Sequence, residues 1–97
     1  MVLLCGNGGS ATNAQHIATQ LLIRLRPHLN RDPLPALALA LDSSSMTACA
    51  QAYSLELYFE RMTRAFGRPG DVLLGMTASR EPVNVIAALR AAHDIVW

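Results

Sequence analysis

The sequence predicts an α/β domain with a doubly wound parallel sheet. Three short apolar segments, each typical of a buried strand, alternate with longer segments whose apolar residues recur every three or four positions, as on one face of a helix. Strands that alternate with helices form right-handed crossovers, which cover both faces of a parallel sheet. Because 97 residues leave room for one small domain and three strands make a thin sheet, we expect residues 1–97 to form a single, incomplete domain.

The first strand and the first helix flank a glycine-rich loop. The apolar run at residues 2–5 predicts a buried strand, and the sequence Gly-Asn-Gly-Gly at residues 6–9 ends it. A helix is expected from about residue 10 to about residue 25, because its apolar residues fall on one stripe. Ser10 and Thr12 are both candidate N-caps. Three prolines soon after this helix predict a loop.

The second predicted strand is followed by two helices. The apolar run at residues 36–41 predicts the strand, and the polar residues 42–45 close it and offer N-caps. A short helix is expected at residues 46–52. Ser54 is expected to cap a longer helix that ends before Gly67.

The third strand is the clearest in the chain. A turn sequence at residues 68–71 precedes the apolar run at residues 72–76. After a polar loop, Pro82 is the predicted first residue of the last helix. Residues 95–97 are expected to begin a further strand.

Composition and charge exclude several functional classes. The formal net charge is +1 and the arginines are scattered, so we expect no direct binding to nucleic acid. No apolar stretch approaches the roughly 20 residues of a membrane span, and no secretory signal pattern is present, which predicts a cytoplasmic protein. Cys5 and Cys49 fall in a predicted strand and helix, which favours reduced thiols. The 52% hydrophobic content of so short a chain predicts covering segments or a homo-oligomer.

The candidate ligand site lies in the loops that follow the strands, since open parallel sheets bind ligands at the carboxyl ends of their strands. In the first loop the glycines allow a tight turn, and the Ser10 hydroxyl with the amides of the helix start could bind a phosphate. In the loop after the third strand, Thr77 and Ser79 offer hydroxyls and Arg80 a positive charge, whereas Glu81 would repel an anion. Either loop could instead be an ordinary turn, and the pattern is neither a dinucleotide fingerprint nor a P-loop.

One face of the first helix carries three polar side chains. Asn13, His16 and Gln20 are spaced three and four residues apart, so they share a face and could converge on one ligand. His16 is the one that titrates near neutrality, although a hydrogen-bonded structural role is the alternative. His28 and His93 are expected to be solvated.

Several segments occur in a characteristic order along almost the whole chain: CGNGGS at 5–10, AQH at 14–16, LPA at 34–36, DSS at 42–44, GRPGDVLL at 67–74 and NVI at 84–86. In this order they resemble the phosphoheptose (sedoheptulose 7-phosphate) isomerase family of sugar isomerase (SIS) domains. They also resemble the branch of that family that binds the replication initiator DnaA.

The resemblance implies a flavodoxin-like SIS fold and a cytoplasmic homotetramer that binds sugar phosphates. By this resemblance Ser10, Thr77 and Ser79 would hold the phosphate, and Asn7 would line the sugar site. We count Gly8, Gly9 and Arg80 as further phosphate-binding candidates. Zinc is implied as a potential cofactor, with His16 as the candidate metal ligand.

Departures from the family pattern bear on activity. The isomerases carry His-x-x-x-Glu where this chain has His16 and Gln20, and an uncharged amide cannot act as a general base. The family loop Ser-x-Ser-Gly-Asn-Ser reads Thr-Ala-Ser-Arg-Glu-Pro at residues 77–82. Segments of the family before and after the matched region are not represented. We therefore predict an incomplete SIS-type domain that at most binds a sugar phosphate, without measurable isomerisation. The alternatives are a non-catalytic DnaA-associating protein and a fragment with no independent role.

Overall fold

The computed structural model describes residues 1–24, 30–40, 42–78 and 80–95, and it confirms the predicted α/β class. The described residues form one parallel sheet of three strands: β1 (Val2–Gly6), β2 (Ala36–Ala38) and β3 (Val72–Met76). They also form four α-helices: α1 (Gly9–Leu22), α2 (Ser43–Ala52), α3 (Tyr58–Phe66) and α4 (Val83–Asp94). One turn of 3-10 helix (Leu55–Leu57) precedes α3.

Strand β1 lies in the centre of the sheet, in the order β2-β1-β3. Its first residue, Val2, is in register with Ala36 of β2 and with Val72 of β3. Leu3, Leu4 and Cys5 are completely buried. A strand that is covered on both faces needs a continuous apolar run, which explains why the sequence of β1 does not alternate.

Two apolar clusters cover the opposite faces of the sheet, because successive strand residues point to opposite sides. Leu4 packs with the alanines of α1 and β2. Leu3 and Cys5 pack on the other side, against the cluster that includes Phe59 of α3 and Val85 of α4. The helices therefore enclose β1 and leave the carboxyl ends of the strands open to the loops.

The start of α1 differs from the prediction. The N-cap is Gly8, not Ser10 or Thr12. Gly8 has a φ of 55°, a left-handed conformation that glycine adopts at little cost, so the chain turns into the helix earlier than a serine cap would allow. The amides of Ala11 and Thr12 already donate to the Gly8 carbonyl. The helix ends at Leu22, three residues before the predicted end, and residue 25 lies outside the described residues.

The second strand and its helices also have shifted boundaries. Strand β2 ends at Ala38 rather than at residue 41, and Leu41 lies outside the described residues. Asp42 is the N-cap of α2, as predicted for this polar segment, but the helix begins at Ser43 instead of residue 46, because the Asp42 carboxylate satisfies the amide of Ser45. The predicted longer helix is divided: Ser54 caps only the 3-10 turn that precedes α3.

The last helix begins one residue later than predicted. Pro82 is its N-cap, with a ψ of 71° that is not helical, and Val83 is the first helical residue. The predicted strand at the end of the chain is wrong at Ile95, whose N–H donates to carbonyls of α4 as the C-cap. Residues 96 and 97 lie outside the described residues. Within the described ranges, no helix combines the length and the hydropathy that crossing a membrane requires.

Candidate functional site

A cavity of about 590 Å³ opens at the carboxyl ends of β1 and β3. Its lining comes from the loop after β1, the first turn of α1 and the loop after β3: Asn7, Gly9, Ser10, Thr12, Asn13, Thr77 and Ala78. Two of the three loops selected from the sequence therefore meet at one place. The predicted ligand residues Asn7, Gly9, Ser10 and Thr77 all line this cavity.

Gly6 and Gly8 shape the wall that carries Ser10. A Cβ at Gly6 would lie 2.7 Å from Ser10 Cβ and 2.9 Å from the carbonyl oxygen of Met76, so the site has no space for a side chain. Gly8 supplies the left-handed turn that starts α1. Ser10 consequently lies directly against the ends of β1 and β3. A larger residue at Gly6 would collide with Ser10, whereas at Gly8 a side chain would meet no atom within 4 Å but would be strained by the positive φ.

The helix start offers hydrogen-bond donors to the cavity. The amide of Ser10 donates to the carbonyl of Asn7 at 2.9 Å, so it is not available to a ligand. In the parts of the chain that the structure describes, the Gly9 amide and the Ser10 hydroxyl have no hydrogen-bond partner. The N-cap is a glycine, without a side chain to cap the helix. Unpaired donors and the positive end of the helix dipole together favour an anion.

The loop after β3 contributes Thr77 and Ala78 to the same cavity. Ser79, the second hydroxyl predicted there, lies outside the described residues. Arg80 is exposed and is not one of the lining residues, so its phosphate contact stays a prediction. Glu81 lines a different, neighbouring cavity together with Glu56. Glu81, which was expected to oppose an anion, is therefore not among the residues that line the proposed anion site.

The polar face of α1 reaches the cavity only in part. Asn13 lines it, whereas His16 and Gln20 do not. His16 is exposed and Gln20 is half-buried, and their side chains contact each other, with 3.3 Å between the two Nε2 atoms. His93 is exposed near the end of α4, and His28 lies outside the described residues. Of the three side chains that were expected to converge on one ligand, only Asn13 lines the cavity among the described residues.

The described part of the loop after β2 caps helix α2. Asp42 accepts hydrogen bonds from the Ser45 hydroxyl at 2.7 Å and from the Ser45 amide at 3.2 Å. These bonds, with that from the side chain as the larger effect, lower the pKa of the Asp42 carboxyl below its usual value. The carboxylate is thus occupied in capping α2. This loop does not line the cavity.

A zinc ion does not fit the described residues. Across residues 1–24, 30–40, 42–78 and 80–95, no three His, Cys, Asp or Glu side chains come close enough together to hold a metal ion. The neighbour of His16 is the neutral amide of Gln20, whereas zinc sites use imidazole, thiolate and carboxylate donors. His16 by itself is not a zinc site.

Sequence reasoning missed the role of Asn84. It appeared only as part of the segment NVI, but its side chain pairs with that of Asn7 across 77 positions of sequence. An asparagine at the start of a helix that follows a strand was the one available signal. Thr12 and Ala78 also line the cavity and were not selected as ligand residues.

Comparisons with known proteins point in one direction. A family model described as "SIS domain" matches residues 1–95. The phosphoheptose isomerase of Chlorobaculum parvum is 51% identical over 94 residues, which are 97% of this chain and 45% of that protein. The phosphoheptose isomerase of Paramagnetospirillum magneticum is also 51% identical over 94 residues, 97% of this chain and 48% of that protein.

Two solved structures that superpose on this chain are also phosphoheptose isomerases. The phosphoheptose isomerase of Francisella tularensis superposes with a TM-score of 0.89 at 38% identity, over 98% of this chain and 49% of that chain. The enzyme from Neisseria gonorrhoeae gives 0.85 at 41% identity, over 98% and 47%. The chain spans about half the length of the relatives that it matches.

Proposed function

Because the chain belongs to the SIS domain family, with phosphoheptose isomerases as its relatives, we propose that it binds a sugar phosphate in the cavity between β1 and β3. One observation carries this proposal: Ser10, in the first turn of α1, and Thr77, in the loop after β3, are 67 positions apart in sequence but line the same cavity. The resemblance predicts that both residues contact phosphate. Their common location supports that role.

The phosphate end of the ligand is proposed to lie at the N-terminus of α1. The Gly9 amide and the Ser10 hydroxyl are the proposed donors at the helix start, and Thr77 lines the same side of the cavity from the loop after β3. Amides at a helix start can bind an anion without a basic side chain, because the helix dipole adds to their own polarity. Gly8, Ser79 and Arg80 remain proposed contributors.

The sugar end is proposed to face the polar side chains farther along the same wall. Asn7, Thr12 and Asn13 line the cavity and can exchange hydrogen bonds with hydroxyl groups. A cavity of about 590 Å³ falls within the usual range for small-molecule sites. A linear or cyclic heptose phosphate is therefore a suitable ligand class.

Isomerisation is not part of the proposal for this chain. Interconversion of a ketose and an aldose moves a proton between two carbon atoms, and this requires a base with a suitable pKa. Gln20 stands where the family pattern has glutamate, and its amide cannot take up that proton. No step through zinc is proposed, since the described residues do not fit a zinc site. The chain is thus proposed to bind the sugar phosphate and not to convert it.

A homo-oligomer is part of the proposal. Val72 and Leu74 of β3 are 57% and 42% exposed, and Leu89 of the adjacent α4 is 44% exposed. Apolar patches of this kind are usually covered in soluble proteins. The family resemblance makes a cytoplasmic homotetramer the specific form that we propose.

The second candidate function is association with the replication initiator DnaA. Gln20 favours it, because a protein that only binds a partner needs no carboxylate base. Capture of purified DnaA on the immobilised, folded chain tests this function. Binding that survives a competing protein such as albumin supports it, and absence of capture by a folded oligomer dismisses it.

A thermal-shift titration tests sugar phosphate binding. Sedoheptulose 7-phosphate should raise the melting temperature with increasing concentration, since a ligand that binds only the folded state stabilises it. Sedoheptulose without phosphate should have little effect. Ser10→Ala should reduce the shift, whereas the matched control Ser44→Ala, on the exposed start of α2, should keep it. Equal shifts from both sugars would contradict phosphate recognition.

A further inference from the structure

We infer that Asn84 is a positioning residue for this cavity: it holds the side-chain amide of Asn7 in one orientation, in which Asn7 presents a donor and an acceptor to a sugar hydroxyl. The inference rests on the proposed function and deepens it. It assigns to Asn7 and Asn84 the recognition of the sugar hydroxyl groups. The contacts to phosphate cannot supply this recognition.

Asn7 and Asn84 form two reciprocal hydrogen bonds. Asn7 Nδ2 donates to Asn84 Oδ1 at 2.9 Å, and Asn84 Nδ2 donates to Asn7 Oδ1 at 2.8 Å. Asn7 belongs to the loop between β1 and α1, and Asn84 is the second residue of α4. The pair therefore ties the first ligand loop to the helix that follows β3.

The backbone fixes the orientation of this pair. The amide of Val85 donates to Asn84 Oδ1 at 3.0 Å, and a backbone N–H can only donate, so the atom that faces it must be the oxygen. Asn84 Nδ2 then faces Asn7 and requires an acceptor. A flipped Asn7 would place nitrogen against nitrogen and oxygen against oxygen. Val85 thus sets the orientation of Asn84, and Asn84 sets that of Asn7.

The paired Asn7 retains one donor and one acceptor. A primary amide has two N–H groups and two oxygen lone pairs, and the pair with Asn84 uses one of each. Asn7 also lines the cavity. A hydroxyl both donates and accepts, whereas the charged oxygens of a phosphate only accept and are repelled by an amide oxygen. In this orientation Asn7 favours an organic phosphate with hydroxyl groups over inorganic phosphate.

Asn84 acts through Asn7 and not on the ligand. It is half-buried and lines the neighbouring cavity with Glu56 and Glu81, outside the proposed ligand cavity. A residue of this kind should affect the discrimination between ligands more than the binding of the anion. This difference separates a positioning role from a purely structural one.

Isothermal calorimetry with two ligands tests the inference. Sedoheptulose 7-phosphate and inorganic phosphate are titrated into the wild type, Asn84→Ala and Asn84→Asp. Asn30→Ala, an exposed asparagine away from the cavity, is the matched control. In Asn84→Ala the sugar phosphate should bind about tenfold more weakly, the loss expected from one well-placed hydrogen bond. The dissociation constant of inorganic phosphate should change by less than about twofold. Asn30→Ala should match the wild type.

Asn84→Asp guards against a folding defect. The aspartate can still accept from the Val85 amide, but it places an oxygen against Asn7 Oδ1. Because its negative charge weakens the binding of both anions, the readout for this variant is the ratio of the two dissociation constants, which should change in the same direction as in Asn84→Ala. The NMR signals of the Asn7 side-chain amide should move to solvent-exposed values in folded Asn84→Ala, whereas in Asn84→Asp this amide can still donate to the aspartate. These signals report the orientation of Asn7 without a ligand.

Three results are decisive. Equal weakening of both ligands, or an unchanged affinity for the sugar phosphate in the folded variants, overturns the positioning role and leaves the proposed function in place. A wild type that does not bind sedoheptulose 7-phosphate overturns the proposed function, and the inference falls with it. Selective loss of the sugar phosphate in both variants supports it.

Discussion

Gly6 and Ser10 lie so close together that a Cβ on Gly6 would be 2.7 Å from the Cβ of Ser10. The contact occurs where β1 ends and α1 begins, with the carbonyl oxygen of Met76 only slightly farther away at 2.9 Å. This close packing brings the Ser10 hydroxyl to the carboxyl ends of the strands. It makes the glycine a structural requirement of the proposed phosphate site.

Gly6→Ala should destabilise the protein by about 1–3 kcal/mol, the usual cost of overpacking. Urea denaturation followed by circular dichroism measures the free energy of unfolding. Gly9→Ala is the matched control, because a Cβ at Gly9 would meet no atom within 4 Å and should change the stability by less than about 0.5 kcal/mol. If the two variants proved equally stable, the close packing of Gly6 would be refuted.

Asp42 should make stability depend on pH in the acid range. Hydrogen bonds from the Ser45 side chain and amide lower the pKa of its carboxyl below the ordinary value of 3.8. The folded state therefore favours the carboxylate. The resulting stabilisation is present above the pKa of the unfolded chain and is lost as the pH falls through the lower pKa of the folded state.

Comparison with Asp42→Asn isolates this effect, because asparagine can still cap α2 but does not titrate. Urea midpoints at several pH values between about 2 and 7 should show that the advantage of the wild type shrinks below about pH 4. Parallel pH profiles for the two proteins would contradict the role of the carboxylate.

The thiol of Cys5 should be almost unreactive in the folded protein. Burial raises the pKa of this thiol to about 11, because removal from water disfavours the thiolate. At pH 8 a thiol with this pKa holds on the order of 10²-fold less thiolate than a free cysteine. Modification by a disulfide reagent in a Cys49→Ala background should be slow until urea unfolds the chain. Rapid labelling of the native variant would show that the β1 core opens easily.

The wild-type chain should not convert sedoheptulose 7-phosphate into its aldose isomer. Gln20 and His16 contact each other through their Nε2 atoms, and neither side chain carries the carboxylate that proton transfer requires. Product analysis after prolonged incubation measures turnover. Formation of the isomer by the wild type, abolished in Gln20→Ala, would show that an amide at this position supports catalysis.

The fold class could be predicted from the sequence because its strands are continuous apolar runs. The runs around Leu4 and Leu73 each end at loop residues, and each is followed by a segment with the apolar stripe of a helix. The exact helix starts could not be predicted. Ser10 is the better N-cap by propensity, but the left-handed Gly8 turn and the contact at Gly6 determine where α1 begins. Tertiary packing decided this boundary, and no local preference reveals it.

The site could be predicted only as separate loops. The topology rule for parallel sheets placed Ser10 and Thr77 at the same edge, and the structure brings them into one cavity. The pairing of Asn7 with Asn84 depends on side-chain geometry between distant segments. Neither spacing nor composition contains that information, which explains why Asn84 was missed.

An NMR titration locates the ligand on the protein itself. Amide signals of the isotope-labelled chain are followed while sedoheptulose 7-phosphate is added. We expect the largest shifts at Gly9, Ser10 and Thr77, where the cavity meets the start of α1. Saturable shifts at these amides that need a higher ligand concentration in Ser10→Ala would support this location. Shifts confined to the separate cavity between α2 and α3, around Tyr53 and Met62, or no saturable shift at any amide, would contradict it.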